Sequence, residues 1–365
     1  MTGETLDPRN NPHLEGHEEA ERAFLSAWNS KRLAHAWLIM GPKGIGKATL
    51  AYRIARFVLD RGRYEGPGAG GGLFALPPEP PAQSLFMAPE EPLFHRIAMG
   101  GHLDCKVVER GVNDQGKPRT EIVVDDVRGL GQFLSLTPAE GGWRVVIVDA
   151  VDEMNRSAAN AILKLLEEPP ARSLLLLVCH QPGRILPTIR SRCRRLQLAP
   201  LPEDLAVRLM GRYLPDVPSE EARSLIRLAD GSLGRAMELN GEGGLELYRE
   251  MVDILRTLPK LDIQALHAFG DRLARADGAL AFQTLSALFS GWLARLALKG
   301  GGGRVAEVTP GEGELMNRLL ARSSLDRWVE LWEKLLRLFD RAEAVHLDRK
   351  QIVLNAFLSV EKLVG

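Results

Sequence analysis

Apolar positions fall into two regimes along the chain. Up to about residue 199, short unbroken apolar runs alternate with stretches whose apolar residues recur every three or four positions; beyond it only the second pattern continues. The runs AWLIM at 36–40, 104–109, the short EIVV at 121–124, WRVVIVD at 143–149 and SLLLLVC at 173–179 predict strands. The longer runs do not alternate between apolar and polar, as expected of strands covered on both faces of a parallel sheet. Between them, Ala20, Phe24, Leu25 and Trp28 predict one amphipathic helix, Leu50, Ile54, Phe57 and Val58 a second, and NRSAANAILKLLEEPP a third, stopped by Pro169-Pro170. Asp125 or Asp126 would cap a further helix running through Leu136. Strand alternating with helix predicts a doubly wound parallel α/β domain over 1–199. Two all-helical parts follow, a small one over 200–243 and a larger one over 244–365, divided by the glycines at 241–244.

Two stretches resist this pattern. Residues 1–15 are polar with Pro8 and Pro12, a strap or lead-in. Residues 64–92 hold a triple-glycine run and many prolines, which predicts a flexible surface insertion that cannot pack. In the last part GGGGR at 300–304 interrupts the helices, and the final ones place Trp328, Trp332, Leu335, Leu336 and Phe339 on one face. Such a face serves either a contact between chains or the core of the bundle itself.

Composition narrows the function. Lys plus Arg equals Asp plus Glu at 47 each, so no global positive field advertises direct binding to nucleic acid. No apolar run reaches the roughly 18 residues of a membrane span, and the polar start MTGETLDPRNNPH has no signal-peptide pattern; a cytoplasmic protein with no membrane partner is expected. Cys105, Cys179 and Cys193 lie far apart and predict neither a disulfide framework nor a metal site.

The candidate chemistry begins after the first strand. GPKGIGKA is a P-loop in which Gly41, Gly44 and Gly46 let the backbone wrap an anion, the following helix offers free N–H groups, and Lys47 reaches the outer phosphates. The Ser or Thr that holds Mg²⁺ is replaced by Ala48. Thr49 stands one residue late, a turn of roughly 100° around a helix. At the end of the fourth predicted strand Asp149 occupies the place of a metal-holding aspartate, but the water-polarising Glu that normally follows is Ala150. Asp152 and Glu153 come later, where carboxylates more often cap a helix or face solvent. Two separate parts of hydrolysis chemistry are missing. After the last strand stands IRSRCR, basic residues that composition alone would leave solvated.

The P-loop, VVIVDAVD, AANAILKLLEEPP, a strand and IRSRCR, in this order, resemble the AAA+ clamp-loader family of bacterial DNA polymerase III. The Gly16-His17 start, RLAHAWLIMGPKGIGK, SAANAILKLLEEPP and Ser191-Arg192-Cys193 carry the resemblance over most of the first 240 residues, and LDRKQIVL at 347–354 is similar to the family's collar. It implies an AAA+ domain over 1–199, a helical lid over 200–243 and a collar over 244–365. It also implies that Arg192 is an arginine finger reaching into a neighbouring subunit's ATP site. A guanidinium suits that task through its planar donor fork and permanent charge. With Ala48 and Ala150, the chain would be a non-catalytic member of the family that requires no cofactor and holds ATP or ADP, if at all, without turnover. Its partners would be the ATPase (γ/τ) and δ subunits and, through the complex, the sliding clamp and primed DNA.

Other departures from the family agree with a silent site. Cys179-His180 stands where active members carry a Thr or Asn sensor, and after Gly231-Ser232-Leu233 the second sensor arginine comes late, at Arg235. The family's four-cysteine zinc module has no counterpart: His95, His102 and Cys105 lack ligand spacing, and no metal is expected. Two other readings are an active γ/τ-type motor or repair helicase using Thr49 and Asp152 as displaced substitutes, and a DNA-binding adaptor using Arg190, Arg192, Arg194 and Arg195.

Overall fold

The computed structural model describes residues 7–65, 80–112, 116–117, 119–140, 142–275, 278–344 and 347–365. The chain divides into two compact units, Met1–Leu201 and Pro202–Gly365.

In the first unit α1 (Glu18–Asn29) leads to β1 (Ala36–Met40), α2 (Lys47–Arg61), α3 (Pro92–Ala98) and β2 (Cys105–Glu109). Then come α4 (Val124–Arg128), α5 (Leu130–Ser135), β3 (Arg144–Asp149), α6 (Arg156–Glu167), β4 (Ser173–Cys179), α7 (Pro187–Arg192) and β5 (Arg194–Gln197). The strands form one sheet in the order β2-β3-β4-β1-β5, parallel at every pairing. The α/β fold is the one the apolar runs predict. Strand periodicity sorts the core into two layers: Trp37 and Ile39 pack with Phe24, Leu50, Ile54 and Phe57 on one face, whereas Ala36, Leu38 and Met40 pack with Ile162, Leu166 and Ile189 on the other. Each layer removes large apolar side chains from water, which supplies the main drive to fold. The order also places the tip of β1 where connections leave in opposite directions, the usual ligand crevice of such sheets.

Three expectations need correction. β5 was not predicted, because Leu196 alone of its four residues is buried and the pattern RRLQ reads as solvated. The predicted strand EIVV reduces to a single bridge between Ile122 and Met154, and Asp126 accepts the Val123 N–H at 2.9 Å as α4 begins. Of the predicted insertion, 66–79 lie outside the described residues. Its last part is packed: Leu85 is buried, Ala82 and Met87 lie against the core, and α3 starts at Pro92. The Asn29 side chain brackets Ala82, donating to its carbonyl and accepting its N–H, both at 2.9 Å. A few spaced apolar residues and one amide fork suffice to dock an extended proline-rich segment. The loop at 112–120 falls partly outside the described residues.

The second unit is helical: α8 (Glu203–Tyr213), α9 (Ser219–Leu228), α10 (Leu233–Gly241), α11 (Gly244–Arg256), α12 (Ile263–Ala274), α13 (Ala279–Gly300), α14 (Glu312–Leu320), α15 (Leu325–Ala344) and α16 (Arg349–Val364). Of the two readings open for the apolar face of α15, the bundle core holds for Trp328, Leu335 and Phe339, which are buried within this unit. Phe339 meets Phe282 and Phe289 of α13 edge-on at 6.4 and 6.2 Å. Among the described residues no helix is long and apolar enough to cross a membrane.

Candidate functional site

The loop between β1 and α2 is shaped by glycine. Gly41, Gly44 and Gly46 all have positive φ, at 150°, 80° and 100°. A Cβ on Gly41 would stand 2.5 Å from the Leu198 carbonyl oxygen, and one on Gly46 2.8 Å from Leu14 Cδ1, so neither position admits a side chain without displacing its neighbour. Gly46 caps α2 with no acidic residue in the first turn, which leaves the helix start electropositive.

Lys47 opens α2 and is 2% exposed, its ammonium donating to the Pro42 carbonyl inside the loop. Burial pulls its pKa down to about 8, against the pull of Asp149 and Asp152. Asp149 ends β3, and burial pushes its carboxyl up to about 6 in spite of Lys47. The structure thus brings together Lys47 and Asp149, the cationic and anionic halves of the expected phosphate and metal site, each shifting the other's pKa. The groups that would complete it are elsewhere. Ala48 carries no oxygen. Thr49 is buried along α2. Ala150 is 1% exposed and part of the apolar core on the α2 face, so the position of a water-activating Glu is filled by packing.

Asp152, the candidate substitute base, already has work. Its carboxylate oxygens accept the N–H groups of His180 and Gln181 at 2.8 and 3.0 Å, pinning the turn after β4. In the place of a sensor, the Cys179 thiol is pushed up to about 12, first by burial and then by Asp152. Burial, with Lys47 next in weight, pulls His180 down to about 4, so the ring is neutral at physiological pH. In the second unit Ser232 accepts the Arg235 N–H at 3.2 Å, while the Arg235 guanidinium lies 3.1 Å from Glu238 and 3.5 Å from Glu242.

His17 has a role that sequence reading missed. It is buried, which lowers its pKa, and its Nε2–H donates to the Ile45 carbonyl at 2.6 Å. The described part of the N-terminal segment is a bound strap. Arg53 donates to the Pro12 carbonyl and meets Glu21 at 2.7 Å, while Arg56 donates to the Arg9 carbonyl at 3.0 Å with its guanidinium 4.1 Å over the Phe94 ring. Gly16-His17 was the available signal; its target carbonyl lies 28 residues away in sequence.

Arg192 stands apart from this cluster, at the end of α7. Ile189 and Cys193 are buried in the core, which turns Arg190, Ser191 and Arg192 outward. The Arg192 side chain is 36% exposed; Nη1 donates to the Thr188 carbonyl at 3.1 Å and Nη2 pairs with Glu167 at 2.8 Å. Arg194 and Arg195 are exposed on β5, the Arg194 guanidinium 4.9 Å over Trp37. His95 is exposed on α3, His102 accepts the Asp104 N–H through Nδ1 at 3.0 Å, and the Cys105 thiol is pushed up to about 12 by burial. Among the described residues no group of three or more His, Cys, Asp or Glu is arranged to hold a metal ion.

Residues 91–202 match the family described as DNA polymerase III, delta subunit. DNA polymerase III subunit delta′ of Pseudomonas aeruginosa is 39% identical over 233 residues, 64% of this chain and 63% of that protein. The matched part of this chain is thus similar to DNA polymerase III delta′ subunits. The delta′ subunit of Escherichia coli is 32% identical over 216 residues, 59% of this chain and 57% of its own length. DNA polymerase III subunit tau of Salmonella typhimurium is 28% identical over 240 residues, 62% of this chain and 32% of its own. The chain thus spans less than two thirds of the length of the delta′ relatives it matches.

Lys47 supports a prediction independent of this relationship. The folded-state pKa lies below the ordinary value of 10.5, so the folded chain penalises the charged form. Between about pH 8 and 10.5 the unfolded chain binds the proton and the folded one does not, so wild-type stability rises with pH across that window. At pH 7 the penalty is roughly 3 kcal/mol, offset by about 1 kcal/mol from the bond to Pro42. Lys47→Met should therefore stabilise the chain by about 2 kcal/mol at pH 7, and the gain should be gone by about pH 10. Urea unfolding of both proteins at the two pH values measures this.

Proposed function

We propose that this chain is a non-catalytic delta′-type subunit of a DNA polymerase III clamp loader. It lends Arg192 to the ATP site of a neighbouring γ/τ subunit, so that the complex opens the sliding clamp and loads it on primed DNA. The observation that carries this reading is the half-dismantled site: Lys47 and Asp149 are in place, whereas Ala48 lacks the metal-holding oxygen and Ala150 is sealed into the core. The likeness to delta′ subunits supports it. The site requires no cofactor and holds ATP or ADP, if at all, without turnover. Residues 200–243 serve as the lid and 244–365 as the collar that joins the δ and γ/τ subunits, in the cytoplasm.

The alternative of an active motor depends on Asp152 as base, and that carboxylate is committed to two backbone N–H groups. Purified alone, the chain should release no phosphate from ATP above the blank, with or without primed DNA. Added to γ/τ and δ subunits, it should restore clamp- and DNA-stimulated hydrolysis. Turnover by the lone chain, or a complex indifferent to its addition, would overturn the reading.

A further inference from the structure

The helix AANAILKLLEEPP has a feature that packing does not require. Ala158, Ala159, Ile162 and Leu166 bury the inner face of α6, yet its last residue is Glu167. The negative end of the helix macrodipole disfavours a carboxylate there, and Pro169-Pro170 prevent the helix from continuing. A locally unfavourable residue at a rigid helix end points to a task elsewhere. Its partner is Arg192, 2.8 Å away on α7, a helix that contacts α6.

We infer that Glu167 is a positioning residue for Arg192, orienting the guanidinium so that its remaining N–H donors face a neighbour's phosphates. The inference rests on the trans-finger reading above. Two restraints act on the guanidinium from within the chain, the Thr188 carbonyl on Nη1 and Glu167 on Nη2. A guanidinium has five N–H donors, so the fork keeps others to offer an anion. The Glu167 and Arg192 side chains are 50% and 36% exposed. An exposed ion pair holds its members together by a factor of about two to five. That is enough to bias a flexible side chain toward one orientation, and little enough to yield when a polyphosphate of higher charge arrives.

The test uses the complex reconstituted with its own γ/τ and δ subunits, clamp and primed DNA. Glu167→Ala should lower kcat for ATP about two- to five-fold with KM unchanged, and Glu167→Gln, which keeps the shape without the charge, should do nearly the same. In an Arg192→Ala complex, Glu167→Ala should cost nothing more, because its effect passes through the arginine. A Glu167→Ala complex as fast as wild type or faster, beside a slow Arg192→Ala complex, would overturn the positioning role alone. An equal loss on both backgrounds would do the same. An Arg192→Ala complex of full activity would remove the finger reading and this inference with it, and the single arginine variant reads that outcome separately.

Discussion

If Arg192 is the proposed trans finger, Arg192→Ala should leave the chain folded and the complex assembled, while hydrolysis at the neighbouring ATP site falls by about 10³ to 10⁵. Phosphoryl transfer spreads negative charge over the equatorial oxygens, and the protein's contribution is largely positioning and electrostatic. A planar cation delivered across an interface acts on that charge in a site from which water is excluded. The geometry suits delivery: Ile189 and Cys193 anchor the α7 turn in the core, and the residues between them project outward. Little stability is at stake, because the side chain is exposed and its ion pair is at the surface. Arg192→Lys should recover only part of the rate, since a point charge cannot reproduce the fork. Single-turnover hydrolysis by the reconstituted complex, with assembly checked by gel filtration, is the measurement. A wild-type rate in the alanine variant would leave Arg192 without a catalytic part.

Trp328→Ala should destabilise the isolated chain by about 3 to 5 kcal/mol, the usual cost of emptying a large aromatic site. Trp328 is 1% exposed, and Leu331, Leu335 and Phe339 continue the same buried face of α15 at 7%, 0% and 6%. α15 packs against α13 and α16, where Phe289 and Phe357 meet edge-on at 5.0 Å. The core reading requires the loss to appear in the chain by itself, as an earlier helical transition in urea followed by circular dichroism. A face reserved for another chain would give a lone protein of nearly unchanged stability and a defect only in assembly.

The strands of the sheet centre were readable because burial on both faces leaves no polar position to blur the pattern; Ser173–Cys179 is buried throughout. β5 was missed for the opposite reason, being an edge strand with arginines on its surface. The proline-rich stretch before α3 misled in another way: composition reports the average tendency of a segment, whereas its docking rests on a few single residues, Leu85 buried in the core and Ala82 held by the Asn29 amide. In the candidate site, Lys47 and the three glycines were legible because a phosphate-binding loop needs fixed residue types at fixed spacing, and Asp149 because it ends an unbroken apolar strand.

Sequence by itself determined the central strands, the long helices between them and the missing chemistry, since unbroken apolar runs and the alanines at 48 and 150 require no coordinates to be read. Tertiary structure alone decided what the surviving polar groups do. His17 holds the Ile45 carbonyl, Asp152 pins the turn at His180, and Glu167 meets Arg192. Each of these bonds joins residues roughly 25 to 30 positions apart, and chain spacing carries no information about such pairs. Whether a carboxylate is free to act as a base depends on which N–H groups the fold has placed within 3 Å of it, and that follows from how helices and strands pack.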